Sequence, residues 1–401
     1  MSARRPGESV LEPVLRPMGE DDGRAPASGG PRLAPAVSGA VLGIATLVAY
    51  LPGLGRSLDF DSAETVGLFV KPGPPWSAFQ HQAVFNNHPM FSFFEQLVRV
   101  VTGRTDAGTM RLLPIACAAL AVGVLTWFAA RRHGVLAGLT AGLVLACNPT
   151  FAGLSRSVRG YSLLTLCAVV STVLVAEDRP GRSRWYDVGY VLVAGMGLAT
   201  HLYMVPVVAA QFAAVFARRS LDDRWRRCFL GVLVVAVLAY AGMAQAMVDA
   251  AAAHARTFHA DMPWQVVTMV TGGGWASVVI APLVIVGAVL VLRTRGALGA
   301  ALGLAAVLLV LWAGMQSSAL SERFFVWLVP GAGYLAAVAV GRIPIVAIMG
   351  AAWTALVVAL LLPGYTTPPT NYRESAALLR RVAEAGDRGC VVGVGVPPML
   401  G

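Results

Sequence analysis

Charge is what this sequence has least of, and lysine least of all. Charged residues fill 13% of its 401 positions, and Lys71 is the sole lysine. A soluble domain carries about a quarter charged residues, so an ordinary water-soluble protein is excluded. The five cysteines form no Cys-x-x-Cys pair. Cys117, Cys147 and Cys167 lie inside apolar runs, while Cys228 and Cys390 stand alone, which excludes a disulfide framework and a zinc cluster. No apolar core precedes residue 33, so the N-terminus does not read as a signal peptide. Residues 1–33, rich in Pro, Gly, Ala and charge, are expected to form a disordered cytoplasmic tail.

What is present is apolar. Hydrophobic residues make up 57% of the chain and its mean hydropathy is +0.68. The excess falls in runs long enough to cross a bilayer, for which about 20 residues suffice. They predict an all-α polytopic membrane protein with about eleven spans, three of them marginal. The expected spans are Pro35–Leu54, Leu112–Ala130, Val135–Phe151, Tyr161–Ala176, Val188–His201, Tyr203–Ala217, Phe229–Met247, Trp275–Leu292, Ala297–Met315, Phe324–Val340 and Ile343–Leu362. The fifth and sixth form one stretch of about 30 residues, longer than a span needs. Polar His201 sits at its middle, and we divide the stretch there.

Arginine placement supports that division. With the N-terminus inside, the inner loops hold Arg131, Arg132, Arg179, Arg182, Arg184, Arg218, Arg219, Arg224, Arg226, Arg227, Arg293, Arg295 and Arg342. The short outer loops hold only Arg156, Arg159, Arg256 and Arg323. Basic residues concentrate on the cytoplasmic side of membrane proteins, so the net charge of +10 reads as a topology signal and no nucleic-acid partner is expected. Residues 34–362 then form a transmembrane domain whose first outer loop, 55–111, carries the amphipathic stretches Ala63–Val70 and Phe85–Val101 along the membrane surface. Residues 363–401 are expected to form a short extracytoplasmic α/β segment, a helix over Asn371–Gly386 and a strand over Cys390–Val396.

Ionisable groups beside a bilayer are costly, which makes them functional candidates. On the expected outer side, Asp59, Asp61 and Glu64 follow the first span in SLDFDSAETVG. The plainer reading is a solvated loop start, or a helix N-cap by Asp61 or Ser62. His81, His88 and the Asn86-Asn87-His88-Pro89 turn come next, without the spacing of a metal site, so no metal and no cofactor are expected. Arg156, Arg159 and Tyr161 lie in SRSVRGY, and Arg323 in SERFF. Their plain role is to anchor helix ends at the headgroups; their chemical one is a phosphate cradle, to which planar guanidinium groups are suited. Acids and arginines on one face fit a group transfer from a lipid-phosphate donor, a good leaving group that needs charge neutralisation more than protonation. One carboxylate base then suffices.

This pattern resembles the GT-C-fold membrane glycosyltransferases of the protein-mannosyltransferase and aminoarabinose-transferase type. SLDFDSAETV is similar to that family's acidic pair after the first span, with Asp61 in the Asp position. Asn87-His88-Pro89-Met90-Phe91 is similar to its His-Pro motif, and Arg111-Leu112-Leu113-Pro114 to its Arg-Leu-Pro start of the second span. Ser157-Val158-Arg159-Gly160-Tyr161 resembles Glu-Ala-Arg-x-Tyr, Thr200-His201-Leu202-Tyr203 resembles Thr-His-Tyr, and Arg323-Phe324 resembles a late Arg-Tyr. Two residues depart from the pattern: Ser62 stands for the second acid and Ser157 for the glutamate.

The resemblance implies a hexosyl- or pentosyltransferase that takes a polyprenyl-phosphate sugar as donor and an extracytoplasmic acceptor. It makes Asp61 the first candidate base, then Glu64 and Asp59, with Arg159, Arg323, Arg156 and Tyr161 at the donor phosphate. His88, Asn87 and His201 would position substrate. Two other classes stand beside it, a transporter or flippase of lipid-linked saccharides and a non-catalytic envelope-assembly scaffold. A transporter would place ionisable residues near the bilayer midplane and often shows internal repeats.

Overall fold

The computed structural model describes residues 33–79, 88–178, 181–217, 222–253, 258–293, 308 and 322–343. The expected N-terminal tail, His81, Asn87, Arg256, most of the span Ala297–Met315, the span Ile343–Leu362 and the C-terminal segment lie outside the described residues, apart from Leu33, Leu308 and Ile343 at or within their bounds. Every described element is helical.

Helix α1 (Leu33–Tyr50) leads into a short α2 (Phe60–Glu64) that continues as a π-helical turn over Thr65–Val70. After a 3-10 turn at Pro75–Phe79 come α3 (Pro89–Thr102), α4 (Ala107–His133), α5 (Val135–Ala146), α6 (Pro149–Leu154), α7 (Tyr161–Ala176) and α8 (Arg184–Thr200). The chain continues through α9 (Val205–Ala217), α10 (Asp223–Tyr240), α11 (Ala244–Ala253), α12 (Met262–Thr271) and α13 (Gly274–Leu292). A 3-10 stretch, Glu322–Leu328, then opens α14 (Val329–Arg342). Among the described residues, five stretches are long and apolar enough to cross a membrane: Leu33–Tyr50, Ala107–His133, Asp223–Asp249, Gly274–Leu292 and Arg323–Arg342.

One boundary differs from expectation for a local reason, and one expected division is present. The run Val135–Phe151 is interrupted at Asn148, whose side chain accepts from the Phe151 amide at 2.9 Å and caps α6. Its amide group also donates to the Met269 carbonyl at 2.7 Å, tying this break to α12, a helix the hydropathy did not separate from its surroundings. The division at His201 is present in the backbone. His201 is extended, with φ −159° and ψ 134°, and its Nδ1 accepts from the Tyr203 amide. Across that break Tyr190 donates to the Gln211 side chain at 2.9 Å, so the chain turns back at His201.

Apolar surface drives little helix pairing inside a membrane, so close backbone approach matters more there. Gly39 and Gly43 on α1 meet Gly123 and Ala119 on α4. A Cβ on Gly39 would come within 2.7 Å of the Gly123 carbonyl oxygen, and one on Gly43 within 3.1 Å of that of Ala119. A Cβ on Gly333 of α14 would likewise come within 2.7 Å of the Ala141 carbonyl oxygen of α5. Around these contacts α4 packs on α5 and α7, α8 on α7 and α10, and α14 on α5 and α13.

The two ends of the bundle differ chemically. Where α4 and α7 end and α8 and α10 begin, Arg132 pairs with Glu177 at 3.1 Å, and Arg224 pairs with both Asp178 and Asp187. The other end gathers the exit of α1, the starts of α4 and α7 and the break after α8. That end holds the site.

Candidate active site

The first loop folds onto the start of α7. Asp59 caps α2, its Oδ1 accepting from the Ser62 amide at 2.7 Å, while its Oδ2 accepts from the Ser157 hydroxyl at 3.2 Å. The Ser62 hydroxyl accepts from the Val158 amide at 2.8 Å and lies 3.0 Å from that of Ser157. Both carboxyl oxygens of Asp59 are thus engaged, one by the Ser62 amide and the other by the Ser157 hydroxyl.

Asp61, two residues on, is half-buried and forms an ion pair with Arg323 at 3.1 Å across 262 residues of sequence. The same guanidinium lies 5.3 Å from the Phe324 ring centroid. Glu64 is half-buried at the end of α2, three residues beyond Asp61 and so on the same side of the helix. Arg159 is 3% exposed and donates to the Thr65 hydroxyl at 3.3 Å.

His88 opens α3 and is 5% exposed. Its Nδ1 lies 3.1 Å from the Thr200 carbonyl, so Nδ1 carries the proton and donates. Burial first, then the charge of Arg159, hold this imidazole well below its ordinary pKa, and it is neutral at physiological pH. Its ring is 4.9 Å from that of His201 and 5.7 Å from that of Tyr161. Tyr203 stacks on Phe324 at 5.1 Å, closing an aromatic wall between the α8 break and the start of the 3-10 stretch before α14.

The structure therefore brings Asp59, Asp61, Arg159, Tyr161, His88, His201 and Arg323 to one end of the bundle, with Glu64 beside them. Asn87 lies outside the described residues. Arg156 is tied in through its backbone, its carbonyl accepting from Arg111 at 2.8 Å. Among the described residues no group of three or more His, Cys, Asp or Glu side chains is placed to hold a metal ion.

Arg111, matched in the sequence only to an Arg-Leu-Pro motif, has partners that the sequence did not disclose. It is 4% exposed, and besides Arg156 it donates to the carbonyls of Leu54, Arg56 and Ser57 at 2.6 to 2.8 Å. Apart from that motif, the available signal was an arginine in the second turn of an apolar helix, where backbone or acidic partners can satisfy it.

Residues 86–243 match the model of a family described as dolichyl-phosphate-mannose-protein mannosyltransferase. That stretch includes His88, Arg111, Arg159, Tyr161 and His201, and leaves out Asp59, Asp61, Glu64 and Arg323. A search of the curated proteins finds none that matches. Among solved structures the chain is similar to ArnT from Cupriavidus metallidurans bound to undecaprenyl phosphate, with TM-score 0.54 and 19% identity over 80% of this chain and 63% of that one. It is also similar to the apo state of the same protein, with TM-score 0.52 and 19% identity over 82% and 65% of the two chains. The chain spans less than two thirds of the length of these ArnT structures. Over its described helices this protein has the GT-C fold of ArnT, and over residues 86–243 the sequence pattern of the mannosyltransferase family.

Proposed function

We propose that the protein transfers a sugar from a polyprenyl-phosphate donor to a hydroxyl or amine on an extracytoplasmic acceptor, whether protein, lipid or envelope glycan. The observation that carries this reading is the meeting of a half-buried carboxylate, Asp61, with Arg323, beside the buried Arg159. The match to the mannosyltransferase family and the fold shared with a protein crystallised with undecaprenyl phosphate support it.

Each group has a task in this reading. Asp61 takes the acceptor's proton as the acceptor oxygen or nitrogen bonds to the anomeric carbon. The carbon–oxygen bond to phosphate breaks, and the phosphate leaves with its electron pair. Arg159 and Arg323 neutralise the leaving phosphate, with Arg156 and Tyr161 at its margin. Neutral His88, together with Asn87 and His201, orients substrate by hydrogen bonding and contributes no charge. Asp59 is occupied as a cap, which leaves Glu64 as the second candidate base.

The membrane places the reaction. We read residues 34–362 as the transmembrane domain, the N-terminus as cytoplasmic, the loop 55–111 as outer and residues 363–401 as extracytoplasmic. The site then lies at the outer boundary and the arginine-rich end faces inward. Exposed Phe60, Trp76 and Val101 in the outer loop suit contact with lipid headgroups and acyl chains. A cysteine placed at Asp222 and labelled by an impermeant reagent from outside the cell would overturn this sidedness.

Membranes containing the native protein or Asp61→Asn, supplied with a panel of labelled polyprenyl-phosphate sugars, test the function. Transfer by the native protein alone supports it and names the sugar. Equal transfer by both moves the base to Glu64. No transfer by folded native protein, with lipid-linked sugar crossing the bilayer instead, replaces the enzyme with a flippase.

A further inference from the structure

We infer that Arg111 is a positioning residue for this reaction, one that fixes the loop carrying Asp61 against the loop carrying Arg159. The inference rests on the transfer reading above for its kinetic part, and on geometry alone for the rest.

An arginine offers five N–H donors in one plane. Arg111 spends four of them on main-chain carbonyls. Its Nε donates to Arg156 at 2.8 Å, Nη1 to Leu54 at 2.8 Å and Arg56 at 2.6 Å, and Nη2 to Ser57 at 2.8 Å. Three of these carbonyls belong to the strip of chain that reaches Asp59 and Asp61 within a few residues. The fourth lies three residues before Arg159. One rigid side chain, anchored in the long helix α4, therefore holds both loops at once.

The choice of partners distinguishes positioning from stability alone. A buried cation is costly, and an apolar residue of similar size packs as well or better where only stability matters. Carbonyls are weaker partners than a carboxylate, but four of them in the plane of a guanidinium define the relative height and angle of the two strips. The Asp59 charge adds an attraction without a direct contact. Beyond Arg111 the same loops are joined again by the Ser62 hydroxyl on Val158 and the Ser157 hydroxyl on Asp59. Two points of attachment fix a register; with one, the loops can pivot about it. Lysine cannot replace the fork, since its three donors radiate from a single nitrogen.

The test uses the full chain with Arg111→Met and Arg111→Lys, each in two forms. In the first, Ser62→Cys and Ser157→Cys are added, and oxidative cross-linking between the two positions, mapped by mass, reports loop register with no substrate present. The native arginine is expected to cross-link fastest and Arg111→Met about fivefold or more slower, a loss of the alignment on which a near-attack geometry depends. In the second form, without the cysteines, transfer per folded molecule is expected to fall about tenfold or more in kcat, with KM for the polyprenyl-phosphate sugar within about threefold. Arg111→Lys recovers part of both, and it carries the test if Arg111→Met does not fold.

Native-like cross-linking and native-like kcat in a folded variant would overturn the inference. So would a loss of activity that only tracks the loss of folded protein, or a change confined to KM. If native protein transfers no sugar at all, the proposed function fails while the register claim still stands or falls on the cross-linking.

Discussion

Ser62 and Ser157 lie 95 residues apart in sequence, with their hydroxyl oxygens 3.0 Å apart. These are the two positions at which the chain departs from the acidic motifs of the family it resembles, so the departures meet in a single contact. Carboxylates at both would face each other, with Asp59 already hydrogen-bonded to residue 157. Serines turn that repulsion into a short chain of hydrogen bonds. Neither serine can accept a proton as a base, which leaves the carboxylate role to Asp61 or its neighbours.

The contact predicts unequal costs. Ser62→Ala strands the buried Val158 amide, at a cost of about 1 to 3 kcal/mol, whereas Ser157→Ala removes one weak donor and costs about 0.5 to 1.5 kcal/mol. The double variant should lose less than the sum, because the two side chains share one network. Thermal unfolding in detergent measures all three; additive losses would show the serines to be independent.

Asp61→Asn should lower transfer by about 10² to 10⁴ without loss of folded protein, the usual size of a general-base contribution. Glu64→Gln should change it little. Asp59→Asn should stay folded, since asparagine also caps helices well. If Glu64→Gln silences transfer and Asp61→Asn does not, the base lies one helical turn further on.

Arg159 and Arg323 should respond differently despite their shared task. Arg323 is partly exposed, so Arg323→Ala should raise KM for the donor and leave folding intact. Arg159, for which the sequence left open a headgroup anchor or a phosphate cradle, is 3% exposed and bonded to Thr65. Arg159→Ala should therefore reduce both donor use and thermal stability. Normal transfer in both variants would end the phosphate-cradle proposal.

Two buried groups give stability opposite pH slopes. Neither carboxyl oxygen of Glu95, on α3, has a hydrogen-bond partner among the described residues, and burial raises its pKa well above the ordinary value. The folded protein keeps this proton while the unfolded chain loses it above about pH 4.3, so stability falls as pH rises. His88 acts in reverse. Its pKa is lowered in the fold, the unfolded chain takes a proton below about pH 6.5, and stability falls with acidification there. From about pH 6.5 to 8 the Glu95 term continues to lower stability as pH rises, with a slope of at most about 1.4 kcal/mol per pH unit. Glu95→Gln should flatten the thermal-stability profile in that window, and an unchanged slope would show Glu95 to be ionised in the fold.

The helix crossing offers a structural check. Gly39→Val would drive a side chain against the Gly123 carbonyl and part α1 from α4, lowering the yield of folded protein. Ala40→Val, one residue away, serves as a control.

The sequence disclosed most where hydropathy and charge act locally. Tyr161–Ala176 is a helix with the expected bounds, and the long apolar run from Val188 divides where His201 interrupts it. The helix at Pro89–Thr102 and the gathering of Asp61, Arg159, His88 and Arg323 at one end were also legible, because their motifs fall at the ends of apolar runs. The partners of Arg111, the burial of Glu95 and the Asn148 cap were not. The roles of Arg111 and Asn148 depend on which distant backbone each side chain meets, Leu54 to Ser57 for Arg111 and Met269 for Asn148, and no periodicity encodes such a meeting.

The extended residue at 201 also works as a parity setting for the chain. Were it helical, Arg184–Ala217 would form one rod of about 50 Å and finish at the opposite end of the bundle. Every later segment would then exchange ends, and Arg224 would be carried away from Asp178 and Asp187, its partners on the preceding stretch. Those ion pairs can close only when the count of crossings before them is right. The arginine-rich end thus carries its own error check on threading, verified one helix after the decision is made.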